Sequence, residues 1–244
     1  MTKNIPSSWL IVGLGWLGEA LRLELQAQGH HATGTHRANF DFLHNEFPVG
    51  NWDVVFLNTP PLTTITPRAY AAKLTNVTAR RVIFISSTSI YGAKCGEVTE
   101  ADAPSPDAPG GQWLAEVEQE LCSIFGDRLL IIRPGGLIGG KRHPVFHLQN
   151  RVGVSGGNEL VNLIHRDDLI AIIMTAPESV TIINAIAPAH PRKDDYYIKW
   201  AHQLGLTPPQ FVESEHAARV IHSSVLPQFY TQWVHPNLDV YRIE

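Results

Sequence analysis

The chain has 244 residues, 44% of them apolar and 17% charged, with a formal net charge of −4; this excludes a disordered chain and leaves no overall basic footprint for nucleic acid. No apolar run reaches the roughly 18 residues of a membrane helix, and no secretory apolar segment precedes Trp9. The two cysteines, Cys95 and Cys122, make neither a disulfide framework nor a four-cysteine metal site, so the chain reads as cytoplasmic, with free thiols and no membrane contact.

In chain order, the apolar run 9–12 is a strand leading into Gly13-Leu14-Gly15-Trp16-Leu17-Gly18, and residues 19–28 carry leucines at helical spacing until Gly29 stops them. Residues 30–37 read as a second, weakly apolar strand. Residues 53–58 and 81–86 are continuous apolar strands, and Pro67 opens a helix predicted to run to residue 79. Residues 102–111 are rich in Pro, Gly and Ala and predict a loop. Strands follow at 127–132, 161–164 and 180–185, with helices at 167–175 and 193–204. The strands are apolar throughout rather than alternating, as in parallel strands covered on both faces. Strands alternating with helices predict an α/β, Rossmann-type doubly wound parallel sheet. We read one domain over residues 1–244, with a small substrate lobe formed mainly from 137–160 and 186–244.

The glycine loop lies between a strand and a helix, the context in which it binds a dinucleotide. Gly13 permits the tight turn, Gly15 lets a pyrophosphate approach and Gly18 lets helix pack on strand. Gly13, Gly15, Trp16, Leu17 and Gly18 are therefore candidate cofactor residues. An acidic residue at the end of the second strand would select NAD through the ribose 2′-hydroxyl; this chain has His36 and Arg37 there. Arg37 can pair with a 2′-phosphate, with His36 in support, which favours NADP(H) over NAD(H). His143 and His147 have i, i+4 spacing but no evident third ligand, so no metal site is expected.

Four stretches together resemble the extended and atypical branch of the short-chain dehydrogenase/reductase superfamily, the NAD(P)-dependent epimerase/dehydratase type. They are the glycine loop, Ile85-Ser86-Ser87-Thr88-Ser89-Ile90-Tyr91-Gly92, Arg133-Pro134-Gly135-Gly136-Leu137-Ile138-Gly139 and Asn162-Leu163-Ile164-His165-Arg166-Asp167-Asp168-Leu169. The resemblance implies that Ser87 is the catalytic hydroxyl that orients the reacting oxygen. It implies that Ser86, Asn58, Thr59, Pro60 and Pro134 line the cofactor, and that Thr88 flanks nicotinamide and substrate. Lys141, Arg142 and His143 stand where the family opens its substrate cleft; with Arg151 they form either an anion site for phosphate or carboxylate, or a solvated basic loop. His165 and Asp168 match a segment that mostly orders the cleft wall. Tyr230, Trp233 and Tyr241 cover the cleft or a subunit contact.

The departures from the family are equally specific. Its acid/base pair, Tyr-x-x-x-Lys, falls on Gly110 and Leu114, and Val12 replaces the first glycine of its extended loop. Two functions follow. One is an NADP-dependent oxidoreductase or epimerase/dehydratase-like enzyme without the Tyr/Lys pair, acting on a small molecule, phosphorylated or a nucleotide sugar. The alternative is a catalytically inactive NADP(H)-binding sensor or regulatory module. The resemblance also implies a homodimer through the helices near 67–79 and 111–123.

Overall fold

The computed structural model describes residues 6–215 and 218–238; Tyr241 lies outside the described residues. The strands are β1 (Ser8–Val12), β2 (His31–Thr35), β3 (Asn51–Leu57), β4 (Thr78–Ile85), β5 (Gly96–Val98), β6 (Leu129–Pro134), β7 (Gly136–Ile138), β8 (Val154–Ser155), β9 (Leu163–His165), β10 (Ile182–Ala185), β11 (Phe211–Val212) and β12 (Arg219–Ile221). The α-helices are α1 (Trp16–Ala27), α2 (Pro67–Ala72), α3 (Pro109–Phe125), α4 (Val145–Leu148), α5 (Arg166–Thr175) and α6 (Lys193–Gln203). Among the described residues no helix is long and apolar enough to cross a membrane.

Six strands form one sheet in the order β10-β6-β4-β3-β1-β2. The pairs β1/β2, β1/β3, β3/β4 and β4/β6 are all parallel. The chain places β2 on one side of β1 and β3 on the other, so the winding reverses at β1. That reversal opens a crevice at the carboxyl ends of β1 and β3. The buried runs Leu10–Val12, Val54–Leu57 and Val82–Ile85 supply the sheet core, as continuous apolar strands require.

The chain divides into two compact units. The first comprises Met1–Gly92, Pro104–Arg133 and Ile173–Ile183 and holds most of the sheet. Within it Arg81 donates to the carbonyls of Ala176, Pro177 and Val180, fastening β4 to the turn after α5. The second comprises Ala93–Ala103, Pro134–Ile172 and Asn184–Glu244. It contains the two-stranded parallel pairs β5/β12, β7/β9 and β8/β11. Its core gathers Ile138, Val145, Leu163, Tyr196, Tyr197 and Trp200.

Two expectations are corrected. The helix from Pro67 ends at Ala72, not at residue 79. The Thr75 hydroxyl takes the carbonyl of Ala72, and Thr78 is already paired with Asn51 at the start of β4. The loop predicted over 102–111 ends earlier, because Pro109 occupies the first turn of α3, where its missing N–H costs nothing.

Candidate dinucleotide-binding site

A cavity of about 600 Å³ opens in the first unit at the reversal point. The glycine loop forms one wall (Gly13, Leu14, Gly15), the end of β2 and the segment after it another (His36, Arg37, Phe40, Asp41), and Asn58, Thr59 and Pro60 after β3 the third. The local backbone explains the glycines. Gly13 has φ +105°, and a Cβ there would meet the Asn58 carbonyl oxygen at 2.5 Å. A Cβ on Gly18 would fall on the Gly13 carbonyl and lie 3.1 Å from Ile11 Cγ2. Gly15 faces open space, with nothing within 4 Å of an added Cβ. It precedes the first turn of α1, and its carbonyl accepts from Glu19. A helix N-terminus beside an open cavity suits an anion such as a pyrophosphate.

Asn58 braces the loop: its side-chain amide donates to the Gly13 carbonyl at 3.1 Å, and its backbone N–H donates to Val12. Thr59 Oγ1 and Tyr70 Oη are 3.1 Å apart. Tyr70 is fully buried, and burial raises its pKa, keeping the phenol neutral. Phe42 stacks on Tyr70 with ring centroids 4.4 Å apart, and Trp113 packs edge-on at 5.1 Å. Lys73 Nζ donates to the Leu43 carbonyl at 2.5 Å, pinning the segment that carries the aromatics. Asp41 is held by His44 and the Leu43 N–H, which lower its pKa. Arg37 is exposed on the cavity rim, and among the described residues nothing pairs with its guanidinium.

The serine segment lies in the same unit. The register pairs Leu57 with Phe84, so Ser86 and Ser87 leave β4 one strand along from Asn58 and Thr59, on the same carboxyl edge. Ser86 is buried, and its hydroxyl makes no hydrogen bond among the described residues. Ser87 caps the 3₁₀ turn Thr88–Tyr91, accepting from the Ser89 N–H at 3.1 Å. Thr88 is buried within that turn. Tyr91 is fully buried, and its hydroxyl accepts from Arg133 at 2.7 Å. Arg133 in turn donates to both Glu118 oxygens, at 3.1 and 2.6 Å. Leu114, where the family lysine would stand, is buried. Gly110 lies 3.8 Å, measured from an added Cβ, from the Pro61 ring.

Seven expected cofactor residues therefore line one cavity: Gly13, Gly15, His36, Arg37, Asn58, Thr59 and Pro60. Trp16, Leu17 and Gly18 do not line it; they form the first turn of α1, with Leu17 and Gly18 buried. Pro134, Arg142 and His143 belong to the second unit. Arg142 is exposed on a turn closed by paired backbone bonds with Gly139. His143 is 2% exposed, its Nε2 3.0 Å from Tyr196 Oη, and burial lowers its pKa to about 4. His143 therefore packs in the core of the second unit, whereas Arg142 beside it is exposed. Phe40, Phe42 and Leu43 were missed as cavity residues; their signal was an apolar cluster close behind Arg37.

No protein-family model matches the chain. It is 32% identical over 238 residues to Protein YeeZ of Escherichia coli (strain K12), spanning 84% of this chain and 86% of that protein. The chain belongs to the YeeZ family. Protein YeeZ of Escherichia coli O157:H7 matches with the same identity and coverage. Among solved structures, a conserved protein of unknown function from Silicibacter pomeroyi DSS superposes with TM-score 0.77 at 19% identity, covering 95% of each chain. UDP-glucuronic acid 4-epimerase from Bacillus cereus, in complex with NAD, gives 0.73 at 17% identity, over 93% of this chain and 94% of the other. Human epimerase family protein SDR39U1, with NADPH, gives 0.71 at 15%, over 94% and 96%. This YeeZ-family chain thus has the Rossmann-type fold of the extended short-chain dehydrogenase/reductases, as its motifs implied.

Proposed function

We propose that the cavity of the first unit binds NADP(H) in preference to NAD(H), and that the chain uses it for oxidoreductase or epimerase/dehydratase-like chemistry on a small phosphorylated or nucleotide-sugar substrate. The observation that carries this reading is one cavity with the open Gly15 backbone in one wall and the exposed Arg37 side chain on its rim. The residues fit the cofactor. The loop backbone at Gly13–Gly15, with the N-terminus of α1 behind it, would meet the pyrophosphate, Phe40 and Phe42 offer an apolar surface for the adenine, and Arg37 replaces the acid that a 2′-hydroxyl would want. The bound nicotinamide would supply a hydride donor or acceptor.

The chain's own contribution centres on Ser87. Its oxygen already accepts from Ser89, which leaves its O–H to donate to a substrate oxygen and orient it. The proton cannot come from the groups nearest in sequence. Tyr91 and Glu118 are both engaged by Arg133, Leu114 is apolar, and Glu116 is exposed on the outer face of α3. Solvent is then the proton source, and a missing acid/base costs about 10²–10⁴-fold in rate. That same locked set favours a second reading, an NADP(H)-binding module without turnover.

A panel of sugar nucleotides and phosphorylated carbonyl compounds, scored by NADPH oxidation, separates the two. Substrate-dependent oxidation abolished by Ser87→Ala supports the enzyme. Cofactor binding with no oxidation by any compound supports the binding module.

A further inference from the structure

The second unit holds a cluster that the cofactor chemistry does not use. His165 ends β9, Asp167 lies in the first turn of α5, and His235 comes from the C-terminal segment. One ligand atom from each falls within 4.8 Å of the others. His165 Nδ1 and His235 Nε2 each stand 3.5 Å from the same carboxylate oxygen, Asp167 Oδ2. Those gaps are too long for good hydrogen bonds. They are close to the spacing a tetrahedral ion imposes, since bonds of about 2.0–2.1 Å place its ligand atoms roughly 3.3 Å apart.

A second observation is independent of that spacing. Both ring nitrogens of His235 are buried, and neither makes a hydrogen bond among the described residues. Leaving two such atoms unsatisfied is unfavourable, and buried polar groups without partners are rare in native folds. Side-chain exposure is 7% for His165, 11% for His235 and 49% for Asp167, so the cluster is closed on the imidazole side and open at the carboxylate. Two imidazoles and one carboxylate, with an open fourth position, are the donor set of a borderline-soft divalent ion. Arg166 Nε approaches the other Asp167 oxygen, at 3.6 Å, and leaves Oδ2 to the cluster.

We propose that His165, Asp167 and His235 form a binding site for a divalent transition-metal cation of the zinc type, which ties the C-terminal segment to the β9–α5 junction. Loading has a cost. The ion takes over the lone pair with which His165 Nδ1 accepts the Asp167 N–H at 3.2 Å, and it parts two rings whose centroids lie 3.7 Å apart. Affinity is therefore below that of a fully preformed site. The Asp168 carboxylate already positions the segment by accepting from Tyr230 Oη and the N–H groups of Val234 and His235, at 2.8, 2.8 and 3.0 Å.

The test uses the full chain, free of any affinity tag and treated with a chelator, then titrated with Zn²⁺ and separately with Co²⁺. The expected result is one saturable equivalent, tetrahedral Co²⁺ absorption in the visible, and a melting temperature that rises with Zn²⁺. Asp167→Asn and His235→Gln each lower the affinity at least about tenfold, whereas His202→Gln, on the exposed face of α6, leaves it unchanged. Asp167→Asn is nearly isosteric and partly exposed, so it decides the matter if His235→Gln does not fold. Absence of a saturable site, or equal affinity in wild type and Asp167→Asn, overturns the proposal.

Discussion

The buried triad Glu118–Arg133–Tyr91 gives the sharpest stability prediction. The Glu118 and Arg133 side chains are 5% and 4% exposed. Substituting Glu118 by Leu removes the acceptor of two guanidinium donors and strands a positive charge beneath the serine turn, with only the Tyr91 hydroxyl still bonded. Breaking one partner of such a buried pair costs about 3–5 kcal/mol. For a chain of this size that lowers the melting temperature by roughly 10 °C. The companion variant carries Glu118→Leu and Arg133→Met together. It buries no unpaired charge, and most of the loss should be recovered, because a well-packed apolar pair replaces a buried ion pair at little cost. Thermal unfolding followed by circular dichroism compares the three proteins. If Glu118→Leu melts within about 2 °C of wild type, or if the double variant is as unstable as the single one, the stability cost does not come from an unpaired Arg133 charge.

Three further outcomes follow. Gly15→Ala should leave the melting temperature unchanged, since nothing lies within 4 Å of the added methyl and its extended backbone suits any residue. It should nonetheless weaken nucleotide binding at least about tenfold by blocking the close approach of the phosphate; unchanged affinity would move the pyrophosphate away from this loop. Gly13→Ala should lose both, because φ +105° and the Asn58 carbonyl resist a side chain, with a stability cost of about 1–3 kcal/mol. His143 has a folded pKa near 4 against 6.5 for the free side chain. The unfolded chain therefore binds more protons between those values, and stability is complete above pH 6.5 and falls as pH drops toward 4, by up to about 3 kcal/mol. Melting curves across that range should show the difference between wild type and His143→Gln shrinking as pH falls; a constant difference refutes the assignment.

The sheet and the wall of the first unit's cavity were legible because their signals are local. Apolar runs of 4–6 residues gave the strands, and the glycines between Val12 and Glu19 gave the tight turn at Gly13 and the close helix contact at Gly18. What stayed hidden depends on distant partners. The pairs β5/β12 and β8/β11 involve strands of two or three residues, too short for any periodicity, and side chains such as Asn162 fix the neighbouring segments by bonding Arg219 and Ile221. Nothing local to Glu118 shows that Arg133, on β6, lies against it. His235 gave no sign of meeting His165, because no spacing rule joins positions so far apart. The helix from Pro67 was read too long because composition alone does not show where Thr78 is recruited by Asn51.

The central claim is a phosphate-reading dinucleotide cavity in the first unit. The direct measurement is equilibrium titration of the chain with NADPH and with NADH, by tryptophan quenching, in wild type and Arg37→Ala. Charge-assisted bonds to the 2′-phosphate should make NADPH roughly 10- to 100-fold tighter, and Arg37→Ala should erase that preference while leaving NADH binding unchanged. Failure of both nucleotides to bind at millimolar concentration, or a preference that survives Arg37→Ala, contradicts it.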